Sequence, residues 1–380
     1  MCATRSAAAS AKASRNIAAL DLLRWCSAAL VWAYHAGAAY LAAPSAVSRN
    51  ALTGVSLPRM LVGYSWFGWI GVEIFFILSG YVIARSAEGS APGAFIRRRA
   101  LRLLPAAWLC ASLSAACVLV AGLEKPHIIL DEWAASAFFL SPLDQIDGSW
   151  WTLGLEVDFY LLVALCLWGG RRWPLRWLPA ALTLACAGFW LYRWMGHSAP
   201  RDQWGRYTDL ALLRHGAFFA LGMLMERRLT GGLRWPDWLT AAAALGACAY
   251  EIYDHADERA RAMHIPHETA LPLGLFLVGL VIVALAHRWQ AGPRLQKIAA
   301  TLGLMTYPFY LFHQDVGAIL LGLLRRAGLA HAPALMAQLA LLLAMTLAIT
   351  LWAEPLLRRA LAALLAWRPG GRTGQPAIRT

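Results

Sequence analysis

The sequence predicts an all-α, polytopic membrane protein, a bundle of about ten transmembrane helices. Composition is the first reason: 59% of the 380 residues are hydrophobic and the mean hydropathy is +0.52, well above that of soluble domains. The second reason is that apolar stretches of near-spanning length recur along the chain. They lie at residues 17–41, 61–84, 101–122, 151–169, 175–195, 209–225, 237–253, 270–287, 299–324 and 334–354. The apolar segment 133–142 is too short to span and is interpreted as interfacial or re-entrant.

Basic residues predict the orientation of this bundle. If the N-terminus is cytoplasmic, roughly two thirds of the 34 lysines and arginines lie in cytoplasmic connections and tails, the distribution that membrane insertion favours. Both termini are therefore expected in the cytoplasm. As a separate expectation, the membrane is the cytoplasmic (inner) membrane of a bacterium. The expected organisation is a cytoplasmic segment at 1–16, a transmembrane domain at 17–357 and a cytoplasmic tail at 358–380.

Composition disfavours two other classes of function. The net charge of +13 suggests nucleic-acid binding, but the basic residues form short clusters between apolar segments and no solvated patch. The seven cysteines lack the CxxC or CxxxC spacing of metal ligands, so they give no support for metal binding. The predicted outer connection 251–268 contains His255, His264 and His267 without a metal-ligand pattern and is interpreted as a solvated loop. We therefore expect neither a nucleic-acid partner nor a metal.

The first apolar stretch carries two costly residues, Arg24 and His35. A step of eleven residues in an α-helix brings two side chains within roughly 20° of one face and about 16 Å apart along the axis. Arg24 is then close to the cytoplasmic surface and His35 near the bilayer midplane. Because ionisable groups are expensive at this depth, the pair is a candidate functional site.

A second candidate is the cluster RRRALRLLP at residues 97–105, which begins a helix on the cytoplasmic side. Arg99 and Arg102 are three residues apart and therefore share a helix face. Guanidinium groups bind phosphate through two parallel hydrogen bonds, so the pair fits a phosphorylated cofactor that arrives from the cytoplasm. The alternative is that these arginines only set the topology and contact anionic lipid.

Polar residues in three further motifs are candidates for substrate contact or structural support. In WFGWIGVEIFFILSGY, Glu73 is either half of an ion pair that orients an Arg or His, or a neutral hydrogen-bonded acid. In GSWWTLGLEVDFY, Trp150 is placed at the membrane interface, where indoles are usual but also stack on sugars, and Glu156 follows inside the helix. In TYPFYLFHQD, Tyr310 and His313 share a face, and His313 either assists proton transfer or is a packed structural residue.

Taken in order, these segments resemble the acyltransferase-3 family of integral membrane acyltransferases, whose members modify sugars, lipids and other acceptors. The resemblance covers nearly the whole chain and rests on LDLLRWCSAALVWAYH (20–35), GVEIFFILSGY (71–81), RRRALRLLP (97–105), SWWTLGLEVDFY (149–160), YPFYLFH (307–313) and the Glu-Pro pair at 354–355. Three positions depart from the family pattern. Leu22 and Trp25 stand where small residues are common, and Thr152 stands where a serine is common.

The resemblance implies an enzyme that takes an acyl group, commonly acetyl, from cytoplasmic acyl-CoA and passes it to a hydroxyl of a carbohydrate or lipid-linked glycan. It also assigns roles to Arg24, His35, Arg99 and Arg102, which match the family's motif positions. Imidazole suits this chemistry because its ordinary pKa lies near the working pH. We expect His35 to act as general base while Arg99 and Arg102 hold the co-substrate's phosphates. Arg24 either binds the co-substrate too or tunes the face that carries His35, and an acyl-histidine intermediate is the alternative route.

Two other functions remain open from the sequence. Intramembrane arginine, histidine and glutamate also line transport pathways, so a transporter or flippase for a lipid-linked glycan is the main alternative, although no internal repeat is evident. A non-catalytic membrane scaffold is the third. For an acyltransferase, the expected partners are the acceptor glycan, the lipid bilayer and, if the acyl group is handed onward, a separate periplasmic enzyme.

Overall fold

All regular secondary structure in the described part of the chain is helical. The structure is a computed structural model, and it describes residues 17–140, 143–168, 173–196, 207, 209 and 211–366. The predicted cytoplasmic segment at 1–16, and the predicted tail from residue 367 onward, lie outside these residues. The all-α fold class predicted from the sequence is confirmed.

The α-helices are labelled in chain order. They are α1 (Ile17–Tyr34), α2 (Ala46–Ala51), α3 (Met60–Ser65), α4 (Ile70–Ala87), α5 (Pro92–Val120), α6 (Pro126–Ala137), α7 (Trp151–Trp168), α8 (Trp173–Trp194), α9 (Gly216–Thr230), α10 (Trp235–Met263), α11 (Ala270–Leu285), α12 (Pro293–Phe312), α13 (Asp315–Arg326), α14 (His331–Ala348) and α15 (Glu354–Ala366). A π-helical segment, His35–Ala39, and a short turn, Tyr40–Ala42, extend α1. A second π-helical segment, Ile349–Ala353, joins α14 to α15, and 3₁₀ turns precede α7 (Gly148–Trp150) and follow α11 (Ala286–Arg288).

Five helical runs among the described residues are long and apolar enough to cross a membrane. They are Met60–Ala87, Pro92–Val120, Gly148–Trp168, Ala270–Arg288 and His331–Leu365. An integral, polytopic membrane protein is therefore the right class. The count of ten spans, and the predicted cytoplasmic position of both termini, remain predictions.

Helix α4 lies at the centre of the bundle, between α1 and α9. Its close contact with α9 depends on glycine, because a Cβ atom at Gly80 or Gly222 would collide with the backbone of the facing helix. A Cβ atom at Gly71 would collide in the same way with the backbone of α1 at Ser27. Small residues at helix crossings allow backbones to approach closely in membrane proteins. The packing therefore holds the polar residues of α4 at fixed positions between its two neighbours.

The predicted span at 299–324 is broken between α12 and α13. Side chains satisfy the backbone groups at this break. The Tyr40 hydroxyl donates to the Gln314 carbonyl oxygen at 2.5 Å, and the Asp315 backbone N–H donates to Asp147 Oδ2 at 2.9 Å. Irregular backbone within a membrane domain is tolerated only where it is buried in protein or lines a cavity, so that its polar groups are satisfied. The break places His313 at the end of α12, next to α1.

Several boundaries differ from those predicted. Helix α5 begins at Pro92, where proline fits the first turn, so the arginine cluster lies inside the helix. The short segment predicted at 133–142 is largely replaced by α6, which begins at residue 126. Helix α10 continues to Met263, so the prediction of a solvated loop at 251–268 was wrong. Glu251 and His255 are buried in the bundle, where they pair with other polar residues instead of with water.

Candidate active site

An open cavity of about 810 Å³ lies at the end of the bundle that carries the arginine cluster. Helices α1, α4, α5, α7 and α12 form its walls. We name it the arginine cavity, and its polar lining consists of Arg24, Ser79, Arg99, Arg102, Thr152, Glu156, Tyr160, Thr306, Tyr307 and Tyr310.

The arginine cavity brings together the three arginines that the sequence singled out. Arg24 Nη1 is 3.1 Å from Asp21 Oδ1, one turn earlier on α1, and its side chain is 18% exposed. Arg99 Nη2 donates to Ser86 Oγ at 2.8 Å, and Arg102 is exposed. Among the described residues, no carboxylate forms an ion pair with Arg99 or Arg102. Their remaining N–H donors are therefore available to an anionic ligand.

Glu156 is held inside the same cavity by two hydroxyl groups. Ser79 Oγ donates to Glu156 Oε1 at 3.0 Å, and the Tyr160 hydroxyl donates to the same oxygen. The Tyr160 ring also lies under the Arg99 guanidinium, 5.8 Å from the ring centroid. Sequence reasoning named Glu156 but missed Ser79 and Tyr160. The spacing of Glu156 and Tyr160, four residues apart on one helix face, is the signal that could have found the tyrosine.

A second cavity of about 700 Å³ lies next to the first and contains His35. Val72 and Tyr310 line both cavities, so the two spaces meet at these side chains. We name the second space the histidine cavity. Its aromatic and polar lining consists of Tyr34, His35, Trp69, Glu73, Trp151, His255, Arg259, Tyr310 and Gln314.

His35 forms a pair with His313, which contacts it from the end of α12. His35 Nδ1 is 2.8 Å from His313 Nε2, and His313 Nδ1 is 2.8 Å from the Tyr310 carbonyl oxygen. A carbonyl only accepts, so His313 must carry its proton on Nδ1 and accept at Nε2. His35 then donates from Nδ1. Its Nε2 atom is left with a free lone pair, the form of imidazole that can take a proton.

Glu73 contacts a histidine, His215, which fits either of the two sequence interpretations. Glu73 Oε2 is 3.3 Å from His215 Nδ1, and Arg214 Nη2 is 3.2 Å from Glu251 Oε1. The side-chain ligand atoms of Glu73, His215 and Glu251 lie within 4.8 Å of one another, a geometry that can hold a metal ion. Arg214 already supplies a positive charge to this group, and the absence of a metal remains a prediction.

Trp150 and Tyr310 connect α12 to the start of α7. Trp150 is fully buried and its Nε1 atom donates to the Leu311 carbonyl oxygen at 2.6 Å, so its indole contacts protein, and its place at the membrane interface stays a prediction. Thr152 Oγ1 donates to the Tyr310 hydroxyl at 3.0 Å. Both contacts are structural support for the segment that carries His313. Tyr310 also faces the two cavities, where it can contact a ligand.

A third, larger space of about 1300 Å³ meets the histidine cavity at Gly148 and Trp151. We name it the acidic vestibule, since carboxylates dominate its polar lining: Glu124, Glu132, Asp144, Asp147, Asp209 and Asp315. Burial, followed by the nearby carboxylates, raises the pKa of Glu132 to about 7. Burial also raises the pKa of Asp147 to about 6, although hydrogen bonds from Ser149 oppose the shift. The vestibule therefore carries less negative charge at neutral pH than six fully ionised carboxyl groups would give, and part of its charge titrates in this range.

The comparison with known families identifies the class of protein. Residues 17–354 match the family model described as an acyltransferase domain. The chain belongs to this family, the acyltransferase-3 family, and is a membrane acyltransferase. The resemblance predicted from the motifs is confirmed.

Curated relatives extend the similarity. The exopolysaccharide production protein ExoZ of Rhizobium meliloti (strain 1021) is 28% identical over 329 residues, 81% of this chain and 95% of the relative. The putative membrane-bound transacylase BcsY of Komagataeibacter xylinus is 28% identical over 301 residues, 70% of this chain and 71% of the relative. The putative peptidoglycan O-acetyltransferase YrhL of Bacillus subtilis (strain 168) is 28% identical over 153 residues, 34% of this chain and 24% of the relative. The comparison with solved structures found no match.

Proposed function

We propose that this protein transfers an acyl group, acetyl in the simplest case, from acyl-CoA to a hydroxyl of a carbohydrate or lipid-linked glycan. The observation that carries the proposal is the His35–His313 pair, which leaves one ring nitrogen of His35 free to accept a proton. The names of two relatives, which refer to exopolysaccharide and peptidoglycan, support a polysaccharide acceptor.

The donor side of the proposal rests on the arginine cavity. Acyl-CoA carries its negative charge on phosphates and its thioester at the end of a long neutral arm. Arg99 and Arg102 offer unpaired N–H groups to phosphate, and Arg24 adds a third positive charge. The thioester arm then extends past Val72 and Tyr310, the two residues shared with the histidine cavity.

The acceptor side rests on the histidine cavity and its connection to the acidic vestibule. A hydroxyl that enters by this route meets His35, whose Nε2 atom removes its proton as the oxygen attacks the thioester carbonyl carbon. The carbon–sulfur bond breaks, and the leaving thiolate takes the proton from His35. His313 holds the ring in the required tautomer throughout.

Labelled acetyl-CoA tests this proposal. Inside-out membrane vesicles that contain the protein are incubated with ¹⁴C-acetyl-CoA, and label is measured in the extracted glycan and lipid fractions. We expect incorporation by the wild-type protein and a loss of about 10²- to 10⁴-fold for His35→Ala, the contribution of a general base. Equilibrium binding of acetyl-CoA should be unchanged in that variant, because His35 lies outside the arginine cavity.

The matched control is His127→Gln, which replaces an exposed histidine outside the three cavities and should leave incorporation at the wild-type level. Wild-type incorporation by a correctly inserted His35→Ala variant would contradict the role of His35. Movement of a lipid-linked glycan across the membrane without consumption of any short acyl-CoA would overturn the proposal in favour of a transporter.

A further inference from the structure

Helix α10 brings two further residues, His255 and Arg259, to the histidine cavity. They are four residues apart and therefore on one helix face. Among the described residues that line this cavity, Arg259 supplies the only lysine or arginine side chain. The sequence had assigned this stretch to a solvated loop, so neither residue had a role there.

The Arg259 guanidinium is held in place from one side. Its Nε atom donates to His255 Nε2 at 3.0 Å, which requires the proton of His255 to be on Nδ1. That Nδ1 atom lies 3.7 Å from Glu251 Oε1, and the His255 ring packs on Trp69 with 4.2 Å between ring centroids. Among the described residues, no carboxylate forms an ion pair with Arg259. The terminal N–H groups of Arg259 are therefore oriented but not neutralised.

Arg259 also lies close to the reacting histidine. Its Cζ atom is 5.9 Å from the centroid of the Tyr34 ring, and the Tyr34 and His35 rings meet edge to face at 5.1 Å. Arg259 and His35 line the same cavity. A fixed cation therefore lies in the same cavity as the proposed base, with the Tyr34 ring in contact with both residues.

The acidic vestibule indicates which negative charge this cation meets. An acceptor that carried its own carboxylate or phosphate would approach through the acidic vestibule, where the ionised members of its six carboxyl groups would repel it. The phosphates of acyl-CoA have their own cations in the arginine cavity. The remaining negative charge is the one that the reaction itself creates, on the oxygen of the thioester carbonyl.

We propose that Arg259 is a catalytic residue that stabilises this oxyanion, and that His255 is the positioning residue that orients it; the inference rests on the proposed function. As the acceptor oxygen bonds to the carbonyl carbon, the carbonyl electron pair moves onto its oxygen, which accepts hydrogen bonds from Arg259. The pair returns to the carbonyl as the carbon–sulfur bond breaks. The thiolate leaves with the proton that His35 removed, so protons and electrons balance.

Kinetics of Arg259→Gln test the assignment. The purified protein in lipid nanodiscs receives ¹⁴C-acetyl-CoA and a glycan extract from wild-type membranes, each varied in concentration. We expect the rate at saturation to fall about 10²- to 10³-fold, the usual cost of an oxyanion donor, with the KM for acetyl-CoA unchanged. Added guanidinium chloride should restore part of the rate to Arg259→Ala. His255→Leu should lower the saturated rate less, and Arg259→Lys should fall between wild type and Arg259→Gln.

The matched control is Arg261→Gln, two residues further along α10. Arg261 is 70% exposed and pairs with Asp257, outside the histidine cavity, so the rate should not change. A wild-type rate for Arg259→Gln would overturn the assignment. So would full recovery of its rate at high extract concentration, which would make Arg259 an acceptor-binding residue. If Arg259→Gln does not accumulate, a wild-type rate for Arg259→Lys would also overturn it, because lysine lacks the paired donors.

The wild type and His35→Ala separate this inference from the proposed function. If the wild type neither binds acetyl-CoA nor incorporates label, the proposed function fails. If the wild type is active, His35→Ala is inactive and Arg259→Gln is fully active, only the role of Arg259 fails.

Discussion

The arginine cavity and the acidic vestibule have opposite charge, although the histidine cavity connects them. The first contains three arginines, of which Arg24 pairs with Asp21, while Arg99 and Arg102 have no carboxylate partner among the described residues. The second contains six carboxyl groups, one of which, Asp315, is held by Ser45 and Ser48. A polyanion is attracted to one end and repelled at the other.

This difference in charge explains how the protein can direct its two proposed substrates to separate cavities. A phosphate-bearing donor has no favourable route into the vestibule, and the vestibule favours neutral or cationic acceptors. The His35–His313 pair lies between the arginine cavity and the acidic vestibule, where the proposed reaction joins the two substrates. Substitutions in the histidine cavity should therefore affect the chemical step. Substitutions in the arginine cavity or the acidic vestibule should affect binding or stability.

The largest effect is expected from a substitution at the His35–His313 pair. His313→Phe removes the acceptor for His35 Nδ1–H and leaves the tautomer of the base undefined. The saturated rate of label transfer should fall about 10²-fold while the KM for acetyl-CoA stays constant. His313→Gln, which can still accept through its side-chain oxygen, should retain more activity. Equal loss in both variants would show that His313 only fills space.

A smaller effect is expected from substitutions in the arginine cavity. Arg99→Gln and Arg102→Gln should each raise the dissociation constant of acetyl-CoA about 10-fold, through loss of a charge-assisted hydrogen bond. The saturated rate should change little, and the affinity of the variants should depend less on salt than that of the wild type. Titration of acetyl-CoA at two ionic strengths measures both quantities. Arg97→Gln, an exposed arginine of the same turn, is the control, and equal weakening by that variant would remove the case for a specific site.

The smallest effect is expected from a substitution in the acidic vestibule, and it concerns the pH dependence of stability. The pKa of Glu132 is raised from 4.5 to about 7, so the folded protein holds a proton that the unfolded chain loses between these values. The free energy of unfolding contributed by Glu132 therefore falls as pH rises through this window. Glu132→Gln should weaken that fall, measured as the change in Tm between about pH 5 and about pH 7.5. Asp131→Asn, an exposed neighbour outside the vestibule, should keep it. An unchanged slope in Glu132→Gln would contradict the shifted pKa.

The arginines and His35 could be predicted from the sequence because their information is local. The spacing of Arg24 and His35, or of Arg99 and Arg102, fixes a helix face without knowledge of the neighbours. An ionisable residue in an apolar segment is also easy to recognise as a functional candidate, because its burial in a membrane costs free energy. The contact of His35 with His313 was not predictable in this way, since it depends on how α1 meets the broken end of α12.

His255 and Arg259 were missed for a different physical reason. Hydropathy scores each residue as though it faced lipid or water alone, so the polar end of α10 looked like a loop. In the structure, Arg214 pairs with Glu251, and Arg259 bonds to His255, so these groups satisfy one another inside the bundle. The burial of Trp150 was missed similarly, because it depends on a carbonyl of α12 that satisfies its indole N–H.

The π-helical segment at His35–Ala39 gives the parts of the first helix before and after it separate registers. A π turn holds one more residue than an α turn, so everything after it is rotated by about 100° relative to an uninterrupted helix. Arg24 and His35 belong to the first register, and Tyr40, which bonds to Gln314, belongs to the second. Deleting one residue from 36–39 would turn Tyr40 away and leave Arg24 and His35 aligned. The contact of Tyr40 with Gln314 therefore depends on the π turn, whereas the alignment of Arg24 with His35 does not.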